Sequence, residues 1–433
     1  MTESREAASA APWFGTLPPD WPVVPRRYLV SFQGGGRPDK GNPDFWTGGT
    51  IPWVSPKDMK VDRIADSEDH ITEAAVDGSA TRLLPTGSVL VVVRGMILAH
   101  TLPVAVTTGP VTLNQDIKGL VCGARILPEY LHAVLTGQAG GLLSLADSSA
   151  HGTKKLETEV LQRLEVPCPP LAVQRRIVAT VRAATAELKE LIAAKQRVLD
   201  LIAEKRKSIV ATVATRGLDP EARLRDSGAL WLGEIPQHWE VRRIAWLFRE
   251  RDERGAPDLP LLEVSIGSGV VEREFSDDRI ETTAADFSTY KVAREGDVVF
   301  NKMRMWQGAV GVAPVDGLVS PDYVVAEPTG AVSPDYAGLL FRTETFSAEC
   351  GRRSHGIVWD RLRLYWEGVR EIAVPVPPRG EQRLIIDYLA HESVTLDRLR
   401  AATERTLELL KERRAALVAA AVTGQLPVEP FET

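Results

Sequence analysis

The run Asn301-Lys302-Met303-Arg304-Met305-Trp306-Gln307-Gly308 gathers amide, cationic and aromatic side chains in one short segment. Arg352-Arg353-Ser354-His355 forms a second basic cluster further on. In the first half of the chain, Arg94-Gly95 follows an apolar run, Lys154-Lys155 follows His151-Gly152, and Arg37 and Lys40 follow a glycine triplet. Lys and Arg suit phosphate oxygens, and Arg, Asn and Gln can form paired hydrogen bonds with purine edges. These groupings point to recognition of nucleic acid. The candidate contacts are Arg37, Lys40, Arg94, Lys154 and Lys155 in the first half, and Lys302, Arg304, Gln307, Arg352 and Arg353 in the second.

Catalytic readings fare worse. Phe32-Gln33-Gly34-Gly35-Gly36 fits the F-x-G-x-G of a methyl-donor site, and Asn42-Pro43-Asp44-Phe45 resembles the N-P-P-[FY] of amino-methyltransferases. In a doubly wound sheet such motifs end different strands with helices between them, and five residues leave no room for that. Pro257-Asp258 with Glu263-Val264-Ser265 suggests a P-D…E-x-K nuclease but lacks the lysine. There is no G-x-x-x-x-G-K-[ST] loop for ATP. Cys122, Cys168 and Cys350 lie far apart with no CxxC pair, which argues against a disulfide framework or a zinc site. The expectation is a chain with no catalytic residues, no metal and no cofactor of its own.

The elements that must position these side chains are legible from repetition. Trp13-Phe14-Gly15-Thr16-Leu17-Pro18-Pro19-Asp20-Trp21-Pro22-Val23 returns 218 residues later as Trp231-Leu232-Gly233-Glu234-Ile235-Pro236-Gln237-His238-Trp239-Glu240-Val241. Val166-Pro167-Cys168-Pro169-Pro170 with Gln174-Arg175 returns after 208 residues as Val374-Pro375-Val376-Pro377-Pro378 with Gln382-Arg383. A period above 200 residues means duplicated domains, not a short-repeat solenoid. Each copy opens with Gly- and Pro-punctuated sequence carrying short strand-like runs such as Val89-Leu90-Val91-Val92-Val93 and Asp297-Val298-Val299-Phe300.

Each copy ends in about 45 residues nearly free of Gly and Pro, enough for a helix of about 65 Å. Val181, Leu188, Lys195, Ile202 and Ile209 fall seven apart, with Ala184, Leu191 and Val198 three residues after the first three. Leu389, Leu396, Thr403, Leu410 and Leu417 repeat that stripe 208 residues on. A sustained heptad implies a coiled-coil seam. A pseudo-twofold relation between the copies makes the two helices antiparallel, with the globular parts inverted at opposite ends.

The fold class expected is α+β: two β-rich domains separated by an antiparallel coiled coil of two long helices, with internal pseudo-twofold duplication. The expected boundaries are a flexible tail over 1–11, a first domain over 12–170, a helix over 171–216 and a linker over 217–230. A second domain over 231–378, a helix over 379–423 and a tail over 424–433 complete the chain.

Charge complicates the nucleic-acid reading. The 433 residues carry a net charge of −6. Residues 12–165 hold 14 basic and 16 acidic side chains, and residues 229–373 hold 17 and 24. Residues 174–216 hold 10 and 4. Either charge segregates sharply on each domain, or a partner supplies much of the phosphate neutralisation. The most apolar stretch, Val89 to Val106, is broken by Arg94, Gly95, His100 and Pro103, so no membrane span is expected.

The duplicated chain resembles the specificity (S) subunits of type I restriction–modification systems. The opening Gly34-Gly35-Gly36-Arg37-Pro38…Asn42-Pro43-Asp44-Phe45-Trp46…Ile51-Pro52-Trp53-Val54-Ser55-Pro56-Lys57-Asp58-Met59 looks like the start of a target-recognition domain. Leu113-Asn114-Gln115-Asp116 and Ser320-Pro321-Asp322-Tyr323-Val324-Val325 are similar to its later signatures, and the Pro-Pro…Gln-Arg approach to a long helix resembles the family's spacer regions.

The resemblance implies a non-catalytic chain whose two target-recognition domains each read half of a bipartite site in double-stranded DNA. It implies two methyltransferase (M) subunits carrying S-adenosylmethionine, and restriction (R) subunits using ATP and Mg. The complex would be an adenine-specific DNA methyltransferase and an ATP-dependent endonuclease. The setting implied is the prokaryotic cytoplasm, at the nucleoid when DNA is bound. A protein-interaction scaffold, with two ligand-binding β-rich domains on a coiled coil, is the alternative that the acidic balance supports.

Overall fold

The structure is a computed structural model that describes residues 14, 17–148, 153–256, 258–273, 287–356 and 362–426. Trp13, Gly15, Thr16, His151, the expected tail 1–11 and most of 424–433 lie outside the described residues. The chain forms two compact units, residues 1–196 with 405–433, and residues 197–404.

In the first unit the apolar run becomes the buried strand Val89–Val92, flanked antiparallel by Ile117–Cys122 and Val104–Thr107. Val30–Gly34 extends one side and the short parallel strand Arg63–Ile64 the other. The run shows no polar alternation because all four of its side chains are buried. Helix Pro128–Gly137 covers the sheet with buried Tyr130, Leu131, Val134 and Leu135.

The second unit repeats this plan. Buried Val298–Asn301 lies between Tyr323–Pro328 and Val310–Val312, with Phe248–Arg251 outermost, and helix Pro334–Phe341 packs on them.

The repeated motifs meet each other in space. Val23–Pro25 pairs with Glu165–Pro167, setting Val23 opposite Pro167. Glu240–Arg243 pairs with Ala373–Val376, setting Val241 opposite Pro375. Each globular domain is therefore closed by pairing a strand of its opening motif with its last strand before the long helix, which explains why those segments carry the strongest echo. The second tryptophan of each opening motif packs on the glycine after a long helix. A Cβ on Gly217 would lie 3.1 Å from the Trp239 ring, and one on Gly424 would lie 2.5 Å from Pro18 and 3.5 Å from Trp21. Both glycines have φ near +75°, at 76° and 74°, so the helix end needs glycine for backbone as well as for space.

The echoed glutamines tie each globular domain to its long helix. Gln174 is fully buried; its Oε1 accepts from Leu127 N–H at 2.9 Å, and its Nε2 donates to the carbonyls of Arg125 at 2.9 Å and Pro169 at 2.8 Å. Gln382 does the same in the second unit, accepting from Ser333 N–H at 2.7 Å and donating to Pro377 O at 2.8 Å.

The long helices run Leu171–Arg216 and Arg379–Val422. None of the helices among the described residues is long and apolar enough to cross a membrane. Each unit holds part of both long helices. In the second unit Arg206 bonds Asp397 and the Ser393 carbonyl, while Val210 lies with Ile386 and Leu389. As one helix advances its partner recedes, so the pair is antiparallel there.

Leu188, Ile202, Leu389, Leu396 and Thr403 are buried, and Val181, Lys195, Ile209, Leu410 and Leu417 are half-buried. The companion positions require correction. Ala184 and Leu191 are exposed and Val198 is only half-buried. The second set of inward positions falls four residues after the first, at Thr185, Ile192, Leu199, Arg206 and Val213. Of the apolar side chains at three-residue spacing, Ala184 and Leu191 face outward. The inward polar hydroxyls are satisfied locally, Thr185 donating to Val181 O and Thr403 to Leu399 O, each at 2.8 Å.

Replacing Gln174 with Leu keeps the volume but strands the Leu127 N–H and two carbonyls away from water. A loss of about 2–3 kcal/mol is expected, read as a lower midpoint for the first unit in thermal or denaturant unfolding. An unchanged midpoint would show that the glutamine is not a tie.

Candidate nucleic-acid interface

In the first unit the three-stranded ribbon Asp147–Ser148, Lys154–Lys155 and Arg94–Gly95 places Lys155 opposite Arg94 and Lys154 opposite Gly95. Three candidates from distant parts of the chain thus share one ribbon. Arg94 and Lys155 are exposed and Lys154 is half-buried; Lys155 also reaches Glu157 at 2.6 Å. Just past Arg94, Met96 is 71% exposed and Ile97 42%.

Arg37 and Lys40 are exposed on the loop after Val30–Gly34. The glycine triplet beside them is explained by packing. A Cβ on Gly35 would lie 1.7 Å from Asn114 O, and one on Gly36 would lie 2.5 Å from Thr81 N. Trp53 Nε1 donates to Gly36 O at 3.0 Å and Trp46 Nε1 to Asp39 O at 3.0 Å, so two indoles brace the loop. Asn42 caps the turn Pro43–Phe45 by accepting from Asp44 N–H.

The turn Asn114–Asp116 bridges these segments. Gly36 N–H donates to Leu113 O and Val93 N–H to Asp116 O. Exposed Gln115 therefore lies between the glycine loop and the start of the ribbon. Gln115, Met96 and Ile97 are thus further exposed side chains beside the candidates. The signal for Gln115 was the Asn-Gln-Asp turn already noted; the pair Met96-Ile97 read only as part of an apolar run.

In the second unit the loop after Val298–Asn301 is built on buried anchors. Asn301 Oδ1 accepts from Met303 N–H at 3.1 Å and Met305 is fully buried. Gly308, at φ 86°, turns the chain back into Val310–Val312. That leaves Arg304 and Gln307 exposed with no side-chain hydrogen bond or ion pair among the described residues. Met303 is also exposed, and Trp306 Nε1 donates to Met303 O. Lys302 sits 4.8 Å from the Tyr365 ring centroid, and its carbonyl accepts from Leu364 N–H.

Tyr365 and Arg363 were not expected here. His355 and Arg363 exchange backbone hydrogen bonds, bringing this segment against the loop. The signal was present as alternation: Leu362 and Leu364 are buried, and Arg363 and Tyr365 are exposed.

Arg352 and Arg353 are both engaged within the chain. Arg352 binds both oxygens of Glu349 at 2.8 and 2.9 Å, and Arg353 binds one at 2.6 Å. The Glu349 side chain is 5% exposed, so it requires compensating charge and claims both guanidinium groups. The Arg352 hydrogen bond outweighs burial and, with Arg353, holds the Glu349 carboxyl below its ordinary range.

The acidic excess of the second unit is collected elsewhere. Arg251 meets Asp297, Glu253 and Glu327; Lys291 meets Glu250 and Asp252; Arg294 meets Asp316 and Glu253. Asp297 stands at the start of strand Val298–Asn301 and Lys302 at its end. At ~3.3 Å per residue, the five steps from Asp297 to Lys302 hold the carboxylates and the cationic loop about 17 Å apart. Segregation within the unit is thus how a net-acidic domain keeps a cationic loop.

Residues 18–199 match the family model described as the type I restriction modification DNA specificity domain. Over 150 residues the chain is 39% identical to the specificity subunit of the type I restriction enzyme EcoR124I/EcoR124II of Escherichia coli, a stretch covering 35% of this chain and 37% of that protein. Over 305 residues it is 27% identical to the MjaIX type I restriction enzyme specificity subunit of Methanocaldococcus jannaschii, covering 66% of this chain and 67% of the relative. A chain solved in work on complex assembly and conformational transition of the type I R-M system superposes with a TM-score of 0.60 at 18% identity, covering 95% of this chain and 100% of that one. This last likeness concerns the fold.

Substituting Glu349 with Gln should lower stability by about 1–3 kcal/mol at neutral pH, by leaving two guanidinium groups without their carboxylate. A carboxyl with a lowered folded pKa stabilises above the ordinary glutamate value of 4.5 and loses that contribution as pH falls through its folded value. The gap between wild type and variant should therefore shrink below about pH 4.5 in parallel unfolding curves. A gap independent of pH would remove Glu349 as the organiser of this pair.

Proposed function

We propose, from the premise that residues 18–199 belong to the family of type I restriction modification DNA specificity domains, that this chain is the DNA-specificity subunit of a type I restriction–modification complex. Each reader domain contacts one half of a bipartite site in double-stranded DNA. The chain supplies recognition; methyl transfer from S-adenosylmethionine, and ATP- and Mg-dependent cleavage, belong to M and R partner subunits.

The observation that carries this reading is the recurrence of one plan. In each unit a buried central strand leads into an exposed segment with cations and an apolar side chain, Arg94 with Met96 and Ile97, then Lys302 and Arg304 with Met303. Arg and Gln supply hydrogen bonds to base edges, exposed methionine and isoleucine suit thymine methyls, and Lys suits phosphate. Arg37, Lys40, Lys154 and Lys155 act in the first reader. Lys302, Arg304 and Gln307 act in the second, where Arg352 and Arg353 serve from their Glu349 anchor.

The long helices set the interval between half-sites and dock the M subunits. Leu384, Tyr388 and Leu399 are exposed and, at ~100° per residue, fall within about 60° of one another around their helix. Such an outward apolar stripe suits a protein partner. At ~3.4 Å per base pair, a helix of about 65 Å limits the interval to about 20 base pairs.

Binding of the chain with its M partner to pools of random duplexes, at low and high salt, tests the reading. Retention of a split sequence supports it; retention of nothing at either salt favours the scaffold alternative. Arg304→Ala should cost about 1–3 kcal/mol and relax one position of one half-site. A uniform loss over all sequences would reassign Arg304 to phosphate. Four helical residues inserted near Lys195 should change the gap between half-sites, and an unchanged gap would end the ruler role of the helices.

A further inference from the structure

The duplication relates two clefts, one in each unit, where reader meets long helices. In the first, Glu129, His132 and Val106 face Val181, Arg182 and Val418. In the second, Asp335, Gly338 and Val312 face Leu389, Ala390 and Val210. The reader positions are 206 residues apart and the helix positions 208, so these are the same place in the two copies. Their chemistry has diverged. Gly338 and Ala390 stand where His132 and Arg182 stand, and the cleft widens from about 110 Å³ to about 360 Å³.

The first cleft is crossed by a tie absent from the second. Asp62, beside the edge strand Arg63–Ile64, accepts from Lys189 Nζ at 2.6 Å and from Arg414 at 2.9 and 3.2 Å. Lys189 belongs to the first long helix and Arg414 to the second. The Asp62 backbone carbonyl also accepts from Val106 N–H, so its side chain is anchored to the sheet. Burial alone would push the Asp62 carboxyl up, but the Lys189 hydrogen bond and the charges of Arg414 and Lys189 outweigh it and hold it below the ordinary range. One terminal nitrogen of the Arg414 guanidinium reaches both carboxylate oxygens while Lys189 holds one of them, and a network of several charges is the setting in which a partly exposed ion pair is effective.

In the second unit the equivalents of those cations, Arg206 and Asp397, pair with each other at 2.6 Å. Helix satisfies helix there, and no reader carboxylate is engaged by them. The nearby Lys207–Glu344 pair, with side chains 69% and 76% exposed, is no substitute.

We propose that Asp62 is a positioning residue: by joining one cation from each long helix, it sets the angle at which the first reader meets the helices, and so the spacing at which its half-site is accepted. This rests on the DNA-specificity reading. The second reader is held to the second long helix by Glu381, which binds His238 and Trp239, but among the described residues no carboxylate of it joins cations from both helices across its open, largely apolar cleft.

The test uses the full chain with its M partner on duplexes whose half-sites are fixed and whose gap varies by one base pair at a time. Wild type should prefer one gap. Asp62→Asn should reduce that preference about tenfold while leaving the half-site sequence unchanged, and Asp62→Glu should restore part of it. Lys189→Met, which alters a half-exposed helix position, should reproduce the loss if Asp62→Asn folds poorly. Glu344→Gln should leave the preference intact. An equal drop in affinity for every gap would make Asp62 merely structural and overturn the proposal, as would an unchanged preference in Asp62→Asn and Lys189→Met. Failure of wild type to select any split sequence would overturn both this proposal and the function beneath it.

Discussion

A β-rich domain hands its chain to a long helix without losing its own edge because a strand of its opening motif and its last strand are zipped together at that point. The Val23–Pro25 and Glu165–Pro167 pair, and the Glu240–Arg243 and Ala373–Val376 pair, close the readers just before the helices begin. The prolines leave fewer backbone donors in these strands, which suits short edge pairs and halts further pairing. Gln174 and Gln382 then bind the first helical turn to the reader by hydrogen bonds that have no access to water. That junction fixes where each long helix leaves its domain.

The two units share this junction but not their electrostatics. In the first, reader and helices are joined by Asp62 between Lys189 and Arg414. In the second, Arg206 pairs with Asp397 between the helices, Glu381 holds His238 and Trp239, and most carboxylates gather around Arg251, Lys291 and Arg294. Duplication preserved the backbone plan, which rests on strand pairing and buried apolar side chains. Charged contacts at the surface diverged, because exchanging one ion pair for another costs little. This explains how a domain with more carboxylates than cations still presents Lys302, Arg304 and Gln307 clear of acid.

The candidate site was partly legible. Arg94, Lys154 and Lys155 were singled out separately, and the ribbon unites them. Arg304 and Gln307 stand exposed as their loop composition implied. The pairing of Arg352 and Arg353 was not legible, because a basic doublet does not reveal that Glu349, one helical turn back, is buried and binds both. Tyr365 and Arg363 were overlooked because their alternation is short and carries no motif, although it is the pattern that turns a basic and an aromatic residue outward together.

The linear order of residues by itself determined the duplication, the two long helices and the buried strands, since these rest on local periodicity and on repeated Trp, Pro and Gln at matched distances. It also marked Lys195 and Thr403 as the polar members of the heptad stripe. Only the tertiary structure decided which helical positions accompany that stripe inward. Three-residue and four-residue spacings differ by about 100° around a helix, and apolar Leu191 favours one choice in sequence while packing selects the other. The same holds for Asp62: its two partners lie 127 and 352 residues away, and no local pattern encodes a contact made by folding distant segments together.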